Sequence, residues 1–187
     1  CVLGDGCKTL AYSYIGAKST YPIYHQGTLG KAKMHLHATA DDINRRLADI
    51  GGSAHVSVCK ALVTKASVYI PAFSPYILAL YKVMKKNGVH EGCIEQMQRL
   101  FSQRVYGHSL TIPVDEQRLI RIDDWELDNR IQQQVDKLIE QITPDNFTTV
   151  GDYKGYKTDF MQLNGFSLPN VDYQANVDFD TLCQLKP

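Results

Sequence analysis

The stretch TLGKAKMHLHATADDINRRLADIGGSAHVSVCKALV, residues 28–63, decides the fold of this protein. Its apolar residues recur at steps of three and four, which predicts a helix over residues 28–50, and Gly51-Gly52 is typical of a helix end. Residues 55–63 follow as a run of valines and other apolar side chains, which favours a strand buried on both faces. Residues 9–15, TLAYSYI, predict a strand before the helix. Strand, long helix and buried strand together predict a parallel α/β sheet.

Outward from this unit, the chain predicts more helices and one more strand. Helices are expected over residues 75–86 and 90–106, separated by Asn87-Gly88, and over residues 124–142. Residues 119–123, LIRID, indicate a short strand. The last forty or so residues are aromatic and punctuated by glycine, and we expect them to wrap the domain. No repeat or linker marks a domain boundary, so residues 1–187 are expected to form one unit.

Composition and charge narrow the classes of function. The 187 residues are 44% hydrophobic and 21% charged, which is the balance of a folded globular protein. Twenty basic and twenty acidic residues leave no net charge, so bulk electrostatics favours neither a nucleic acid nor an anionic membrane as partner. No apolar run reaches the roughly 20 residues that span a bilayer, and no signal peptide is visible, so we expect a cytoplasmic protein. The start on Cys1 suggests a fragment.

Cysteines and histidines do not indicate a metal site. The five cysteines are scattered and lack C-x-x-C spacing, so we expect reduced structural thiols, as in a reducing compartment. His35 and His37 are two residues apart in the predicted helix and therefore point away from each other. No metal is expected.

The usual device for binding a dinucleotide is a glycine-rich turn between a first strand and a helix. Gly4-x-Gly6 lacks the third glycine and precedes the first predicted strand, so it is expected to be an ordinary loop. If the protein binds a dinucleotide, the first half of that site is therefore expected upstream of Cys1.

Lys33 occupies a position where the predicted helix should bury an apolar residue. A lysine is rarely buried without a purpose or a partner. Taken alone, Lys33 could equally extend to solvent, and Tyr14 and Tyr24 are more simply explained as packed core tyrosines. Only the joint pattern suggests a catalytic site. The predicted apolar stripe on either side of Lys33 consists of Leu29, Leu36, Ala40, Ile43 and Leu47.

Three segments around these residues resemble the trans-2-enoyl-CoA reductase family, which includes the FabV-type enoyl reductases. The family's distinguishing pattern is Tyr-x8-Lys, and Tyr24 and Lys33 fit it. The resemblance runs through essentially the whole chain and covers the carboxy-terminal half of the family's members. The three segments are YSYIG at 12–16, TYPIY at 20–24 and GTLGKAK at 27–33. The others are GGSA at 51–54, LVTKAS at 62–67, HEGCIEQ at 90–96, DDWEL at 123–127, GDYKGYK at 151–157 and VDY at 171–173.

The resemblance implies a fold and an activity. The fold is α/β, the carboxy-terminal half of a doubly wound, Rossmann-like and short-chain-reductase-like parallel sheet with additional helices. The amino-terminal half with the dinucleotide loop would be absent from residues 1–187. The implied activity is NADH-dependent reduction of the C2–C3 double bond of trans-2-enoyl thioesters of CoA or of acyl-carrier protein, in fatty acid synthesis. The full-length enzyme is expected to be monomeric.

The resemblance also assigns roles to three side chains. Tyr24 is expected to donate to the thioester oxygen, where negative charge develops. Lys33 is expected to lower the pKa of Tyr24 and to bind the nicotinamide ribose. Tyr14 would supply a second hydroxyl near the substrate carbonyl.

Further contacts follow from the same resemblance. Leu62, Val63 and Thr64 are expected to contact the cofactor at the end of the buried strand, and residues 66–80 to cover the acyl chain. Two alternatives stay open: another short-chain reductase with a different carbonyl substrate, or a non-catalytic half-domain. The isolated fragment is expected to be inactive.

Overall fold

Three parallel strands form the sheet, in the spatial order β1 (Lys8–Ser13), β2 (Ser53–Val58) and β3 (Leu119–Arg121). The computed structural model describes residues 3–70, 73–107 and 111–185. Ser13 pairs with Val58 and Val58 pairs with Arg121, so all three strands end at the same edge of the sheet. The predicted parallel α/β sheet is confirmed.

Helices account for most of the remaining regular structure. Helix α2 is the crossover between β1 and β2, and α3 is largely buried. Helix α4 continues into a π-helical turn at Leu100–Val105. The bounds are α1 (Tyr21–Tyr24), α2 (Thr28–Leu47), α3 (Phe73–Lys86), α4 (Cys93–Arg99), α5 (Asn129–Ile139), α6 (Phe147–Val150), α7 (Tyr153–Leu163) and α8 (Phe179–Gln184).

Helix α2 confirms the helix predicted over residues 28–50, but its buried face differs from the predicted stripe. A 3-10 turn at Ala48–Ile50 follows α2, and Gly51 ends it with a φ of 64°. Leu29 and Ile43 of the predicted stripe are exposed by 43% and 39%. The buried and half-buried residues that recur at steps of three and four are Gly30, Lys33, His37, Ala40, Asn44 and Leu47.

Polar groups of the sheet explain which face of α2 is buried. Lys33 Nζ donates to Ser13 Oγ at 3.2 Å, at the end of β1. Asn44 Oδ1 accepts from the Ala54 N–H at 3.0 Å, at the start of β2. Because buried polar groups need hydrogen-bond partners, these two contacts stabilise a face that apolar periodicity alone does not predict.

Strand β2 ends at Val58, whereas the sequence predicted a strand up to residue 63. Residues 59–63 stay largely buried, but side chains from other elements bind their backbone in place of a neighbouring strand. The segment 62–64 therefore lies beyond the strand end by several residues. Gln96 Oε1 accepts from the Lys60 N–H at 3.0 Å, Glu126 Oε2 from the Ala61 N–H at 2.6 Å, and Tyr81 Oη from the Val63 N–H at 3.2 Å.

Two helices begin later than predicted, in both cases because of the cap. Helix α4 begins at Cys93 instead of residue 90, with Gly92 as its N-cap. Helix α5 begins at Asn129 instead of residue 124, because Asp128 accepts from the Arg130 N–H at 2.8 Å and caps the first turn. The DDWEL segment at 123–127 therefore precedes the helix and forms a separate turn.

The carboxy-terminal part of the chain divides into a packed and an exposed portion. Helices α6 and α7 contact α3, which confirms that this part of the chain wraps the domain. Residues 162–185 are exposed throughout, although Gln162, Leu163 and Leu168 line a cavity together with residues of α3 and α4. Residues 186–187 lie outside the described residues.

Two further observations concern the described residues alone. No helix among them is both long and apolar enough to span a bilayer. Their cysteines, at positions 7, 59, 93 and 183, are free thiols, and Cys1 lies outside the described part of the chain.

Candidate active site

A cavity of about 490 Å³ opens where β1 and β2 end. The residues just after both strands, the helices α1 and α2, and the start of α3 all contribute to its wall. Val63 is the exception among the predicted site residues, because it lines a second cavity of about 540 Å³. The predicted residues that line the first cavity together are Tyr14, Tyr24, Lys33, Leu62 and Thr64.

Lys33 reaches this cavity from the buried face of α2. Its Nζ donates to Ser13 Oγ at 3.2 Å and lies 5.8 Å from the centre of the Tyr24 ring. Burial lowers the pKa of Lys33, although proximity to Cys59 opposes this shift. The partner that the sequence suggested for a buried lysine is thus a serine hydroxyl at the end of β1.

Tyr24 lies at the end of the short helix α1, which has Pro22 in its first turn, and its side chain is only 5% exposed. Its ring packs edge to face against the Tyr14 ring, with the ring centres 4.7 Å apart. The centre of the Phe73 ring lies 6.0 Å from the centres of both tyrosine rings. Among the described residues, the Tyr24 hydroxyl has no hydrogen-bond partner. Tyr24 is therefore a buried phenol whose hydroxyl is unpaired in the described part of the cavity wall, whereas Tyr12, which also lines the cavity, is 54% exposed.

The electrostatics of Tyr24 differ from the expectation that Lys33 lowers its pKa. Burial raises the pKa of Tyr24 to about 12, and the Glu126 carboxylate contributes in the same direction. The Lys33 ammonium is placed against the ring of Tyr24. In the ligand-free site Tyr24 is therefore a firmly protonated donor.

Gly30 allows the backbones of α1 and α2 to approach closely, and this approach places Tyr24 beside Lys33. A Cβ on Gly30 would lie 2.1 Å from the carbonyl oxygen of His25, the residue after Tyr24. Only a glycine allows the first turn of α2 to approach the α1 backbone this closely. Gly30 appears in the GTLGKAK segment, but the sequence analysis gave it no role.

The segment after β2 forms a turn that is held by hydrogen bonds among its own residues, and this turn closes one side of the cavity. Ser67 Oγ accepts from the Thr64 N–H at 2.8 Å and donates to the Leu62 carbonyl at 2.9 Å. Thr64 Oγ1 accepts from the Ser67 N–H at 3.1 Å. These bonds hold the backbone of 62–67 in one conformation beside Lys33 and Tyr24.

Residues 66–80 contribute less of the cavity wall than expected for a cover over an acyl chain. Ala66, Ser67, Ile70 and Phe73 line the cavity, whereas later residues of α3 are part of the core. Ile77 and Leu80, for example, are completely buried. Pro71 and Ala72 lie outside the described residues.

Glu126 is the functional candidate that the sequence analysis missed. Its completely buried carboxylate accepts from the Tyr14 hydroxyl at 3.0 Å, the Tyr76 hydroxyl at 2.5 Å and the Ala61 N–H at 2.6 Å. Burial raises the pKa of Glu126, and these donors together with nearby Lys60 oppose the shift. The sequence carried no signal for this role, because Glu126 lies in an acidic stretch near a helix start, where a carboxylate is usually a cap or is solvated.

Lys60 is a buried cation that directly precedes Ala61, whose N–H donates to Glu126. Its Nζ donates to the Ala61 carbonyl at 2.7 Å and lies 4.9 Å from the centre of the Tyr81 ring. Burial lowers the pKa of Lys60 to about 8, while Glu126 acts to raise it. Lys60 also lines the cavity, so the cavity wall contains two lysines and a set of phenols.

This arrangement suits reactions that build negative charge on a bound oxygen. A free phenol and a partly buried ammonium on an otherwise apolar wall can stabilise an oxyanion, because low polarity strengthens such contacts. The described residues contain no cluster of three side chains that could hold a metal ion.

Comparison with known proteins places this site in a family. Residues 1–106 match the model described as the trans-2-enoyl-CoA reductase catalytic region, and residues 114–177 match the model described as the enoyl reductase FAD binding domain. An enoyl-[acyl-carrier-protein] reductase [NADH] 2 of Photobacterium profundum is 72% identical over 184 residues, which cover 98% of this chain and 46% of that protein. A trans-2-enoyl-CoA reductase [NADH] of Clostridium beijerinckii is 50% identical over 186 residues, which cover 99% of this chain and 46% of that protein.

A solved structure agrees with the sequence comparisons. The crystal structure of Clostridium acetobutulicum trans-2-enoyl-CoA reductase in complex with NAD has a TM-score of 0.91 and 50% identity, over 98% of this chain and 48% of that one. The chain thus spans about half the length of the curated relatives it matches. On the match over residues 1–106, the chain belongs to the trans-2-enoyl-CoA reductase family.

Proposed function

We propose that this chain is the carboxy-terminal catalytic half of a cytoplasmic, monomeric, NADH-dependent reductase of trans-2-enoyl thioesters that serves fatty acid synthesis. The single observation that supports this most is the convergence of Tyr14, Tyr24, Lys33, Leu62 and Thr64 on one cavity. That cavity lies at the carboxyl ends of parallel strands, where open α/β sheets bind their ligands. Residues 1–187 would then be one part of a single domain whose dinucleotide loop lies upstream.

The residues of the cavity fit a nicotinamide cofactor. Bound NADH would supply a hydride to C3 of the enoyl thioester. Lys33, half-buried and placed by Ser13, would hold the nicotinamide ribose, and Leu62 and Thr64 would contact the cofactor through the rigid turn after β2. Relatives named as NADH reductases and a neighbour solved with NAD support this choice.

Tyr24 would act on the substrate oxygen. Negative charge develops on the thioester oxygen as the double bond is reduced, and the Tyr24 hydroxyl donates a hydrogen bond and then its proton to it. Burial holds the pKa of Tyr24 at about 12, so the proton stays on Tyr24 until a basic enolate oxygen is present. The Lys33 ammonium, 5.8 Å from the centre of the Tyr24 ring, would be a cation beside the phenolate that remains.

A flavin does not fit the segment 114–177, despite the description of the matching family model. A flavin dinucleotide needs backbone N–H groups from a glycine-rich turn after a strand. Within the described segment, Gly151 packs on Leu78, Gly155 lies in α7 and Gly165 follows α7. β3 is followed instead by Asp123, which pairs with Arg121 at 2.6 Å. No step of the proposed reaction uses a flavin.

The proposed substrate is the class of trans-2-enoyl thioesters, carried either by CoA or by acyl-carrier protein. Relatives are named for acyl-carrier-protein and for CoA substrates, and both present the same enoyl thioester to the reacting groups. The apolar cavity wall formed by Ala66, Ile70 and Phe73 suits the acyl chain of either.

The test is NADH oxidation with crotonyl-CoA by the protein expressed with its native upstream coding sequence. Tyr24→Phe should lower kcat by about 10²–10⁴-fold, the range for loss of a general acid. Tyr21→Phe is the matched control, because Tyr21 lies in the same helix, packs on His25 and does not line the cavity. No turnover by the folded parent would refute the activity, and equal turnover by parent and Tyr24→Phe would refute the assigned donor.

A further inference from the structure

The Glu126 carboxylate joins two phenols that have different surroundings. One of its oxygens, Oε1, accepts from both Tyr14 and Tyr76, and the other, Oε2, accepts from the Ala61 N–H. Tyr14 lines the active-site cavity, whereas Tyr76 does not. The same carboxylate oxygen therefore binds one hydroxyl of the cavity and one hydroxyl of the core.

Counting protons determines which way the Tyr14 hydroxyl points. A carboxylate only accepts hydrogen bonds, so the proton in the Tyr14–Glu126 bond belongs to Tyr14. With its single proton directed at Glu126, Tyr14 presents oxygen lone pairs to the cavity. Tyr24, which has no such acceptor among the described residues, keeps its proton available.

We propose that Glu126 is a positioning residue. It fixes the Tyr14 ring by accepting a hydrogen bond from the Tyr14 hydroxyl, and it thereby leaves Tyr24 as the phenol that donates to the substrate oxygen. This inference rests on the proposed function and refines it. Tyr14, which the family resemblance implies only as a second hydroxyl near the substrate carbonyl, would then line the cavity and present an acceptor oxygen to it.

The groups around Glu126 come from five parts of the chain, and the two hydroxyls that donate to it, those of Tyr14 and Tyr76, also lie close to each other. Tyr14 follows β1, Lys60 and Ala61 follow β2, Tyr76 lies in α3, and Gln132 of α5 donates to Tyr76 Oη at 3.2 Å and to the Glu126 carbonyl at 2.6 Å. The charge of the same carboxylate also raises the pKa of Tyr24 in α1. Lys60 is the cation that acts on it.

Glu126→Gln tests the idea with almost no change of shape. If the glutamine oxygen keeps the Ala61 N–H, its NH₂ group faces Tyr14 and Tyr76 and donates to both, which reverses the direction of the Tyr14 hydrogen bond. The Tyr14 proton is then free to enter the cavity. The substitution should lower kcat for crotonyl-CoA by about tenfold while changing the KM for NADH less than about twofold, since Lys33 and the 62–64 turn are unchanged.

A double-mutant cycle separates positioning from a structural role. In a Tyr14→Phe background, Glu126→Gln should lower kcat by a smaller factor than in the parent, because the hydrogen bond to Tyr14 is gone and only the charge of Glu126 near Tyr24 still changes. Tyr76→Phe is the matched comparison: it removes an equivalent bond from the same oxygen, away from the cavity, and should cost less kcat than Glu126→Gln. Equal effects of Glu126→Gln in both backgrounds would overturn the proposal.

A second readout needs no turnover. The Glu126 carboxylate and burial together raise the pKa of Tyr14 well above its ordinary value. With ¹³Cζ-labelled tyrosine, the Tyr14 signal, assigned by its loss in Tyr14→Phe, should titrate at lower pH in Glu126→Gln than in the parent. An unchanged Tyr14 titration would overturn the proposal whether or not the parent oxidises NADH. An inactive parent with a shifted Tyr14 titration would instead refute only the proposed activity.

If Glu126→Gln does not fold, Glu126→Asp replaces it in the same measurements. Aspartate keeps the charge but retracts the carboxylate from Tyr14 by one methylene. The proposal then requires a loss of kcat that disappears in the Tyr14→Phe background, and unchanged kcat in Glu126→Asp would contradict it.

Discussion

Tyr14 and Tyr24 pack edge to face at 4.7 Å, yet their hydroxyls have different chemistry. Tyr14 donates to a buried carboxylate, and Tyr24 has no partner among the described residues. The two phenols therefore differ through their surroundings, a difference that the family resemblance anticipates only as different roles for the two residues. At this scale, a single acceptor determines which phenol donates.

Lys33 determines the alkaline limit of the reaction at the same scale. Burial lowers the pKa of Lys33 below its ordinary value of 10.5, while that of Tyr24 is raised to about 12. As pH rises, Lys33 therefore loses its proton first, and kcat/KM should fall while Tyr24 is still protonated. The measurement is the pH profile of kcat/KM between pH 7 and 11.

Lys33→Arg is the control for this profile. A guanidinium keeps its charge across this range, so whatever activity remains in Lys33→Arg should extend to higher pH. A parent whose kcat/KM stays constant beyond pH 10.5 would contradict the role of Lys33, as would an identical alkaline limit in Lys33→Arg.

At the scale of elements, the contact between α1 and α2 sets the distance between Tyr24 and Lys33. Gly30 lies against the His25 carbonyl with no room for a Cβ, and the clash involves backbone, which cannot turn aside. Helix α1 is only four residues long, so it has few contacts of its own to resist displacement. The site depends on this one close approach.

Gly30→Ala should therefore both destabilise the protein and impair the reaction. We expect a loss of roughly 1–3 kcal/mol in the free energy of unfolding, as for other overpacked sites, and a fall in kcat of about tenfold or more. Urea unfolding and NADH oxidation measure the two effects.

Gly27→Ala is the matched control for Gly30→Ala. Gly27 precedes the same helix, but a Cβ there would meet nothing closer than the Ile23 carbonyl oxygen at 3.7 Å. Its kcat should stay within about twofold of the parent value. Equal losses in the two variants would show that the contact with His25 is not responsible, since alanine forms helices more readily than glycine.

At the scale of the whole molecule, one segment exposes many apolar side chains to solvent. Along residues 162–185 every residue is exposed, including several large apolar side chains. Strand β1 pairs only with β2 among the described strands, which leaves an open sheet edge. Such surfaces favour association. The exposed large apolar residues of this segment are Leu163, Phe166, Leu168, Val171, Tyr173, Val177, Phe179, Leu182 and Leu185.

We therefore expect residues 1–187 alone to be poorly soluble and to have negligible reductase activity. The same chain with its native upstream sequence should be soluble, monomeric and active, because that part would cover the apolar segment and complete the cofactor site. Size-exclusion chromatography and NADH oxidation on both proteins provide the comparison. Soluble, monomeric and fully active material consisting of the 187 residues alone would refute the assignment of this chain as half of a domain.

The order strand, helix, strand and the extent of α2 could be predicted from the sequence, because period and helix ends are local properties of the chain. The Tyr24–Lys33 pair could be recognised for the same reason, because the Tyr-x8-Lys spacing is a property of the sequence itself. The resemblance then identified the family without any tertiary contact.

Only the tertiary structure decided where β2 ends, which face of α2 is buried and what Glu126 does. Each of these depends on a hydrogen bond between groups far apart in sequence: Glu126 with Ala61 and Tyr14, Asn44 with Ala54, and Lys33 with Ser13. A buried polar group must find a partner, but the sequence does not say which one. That choice is made when the chain folds, and it determines the proton donor of the site.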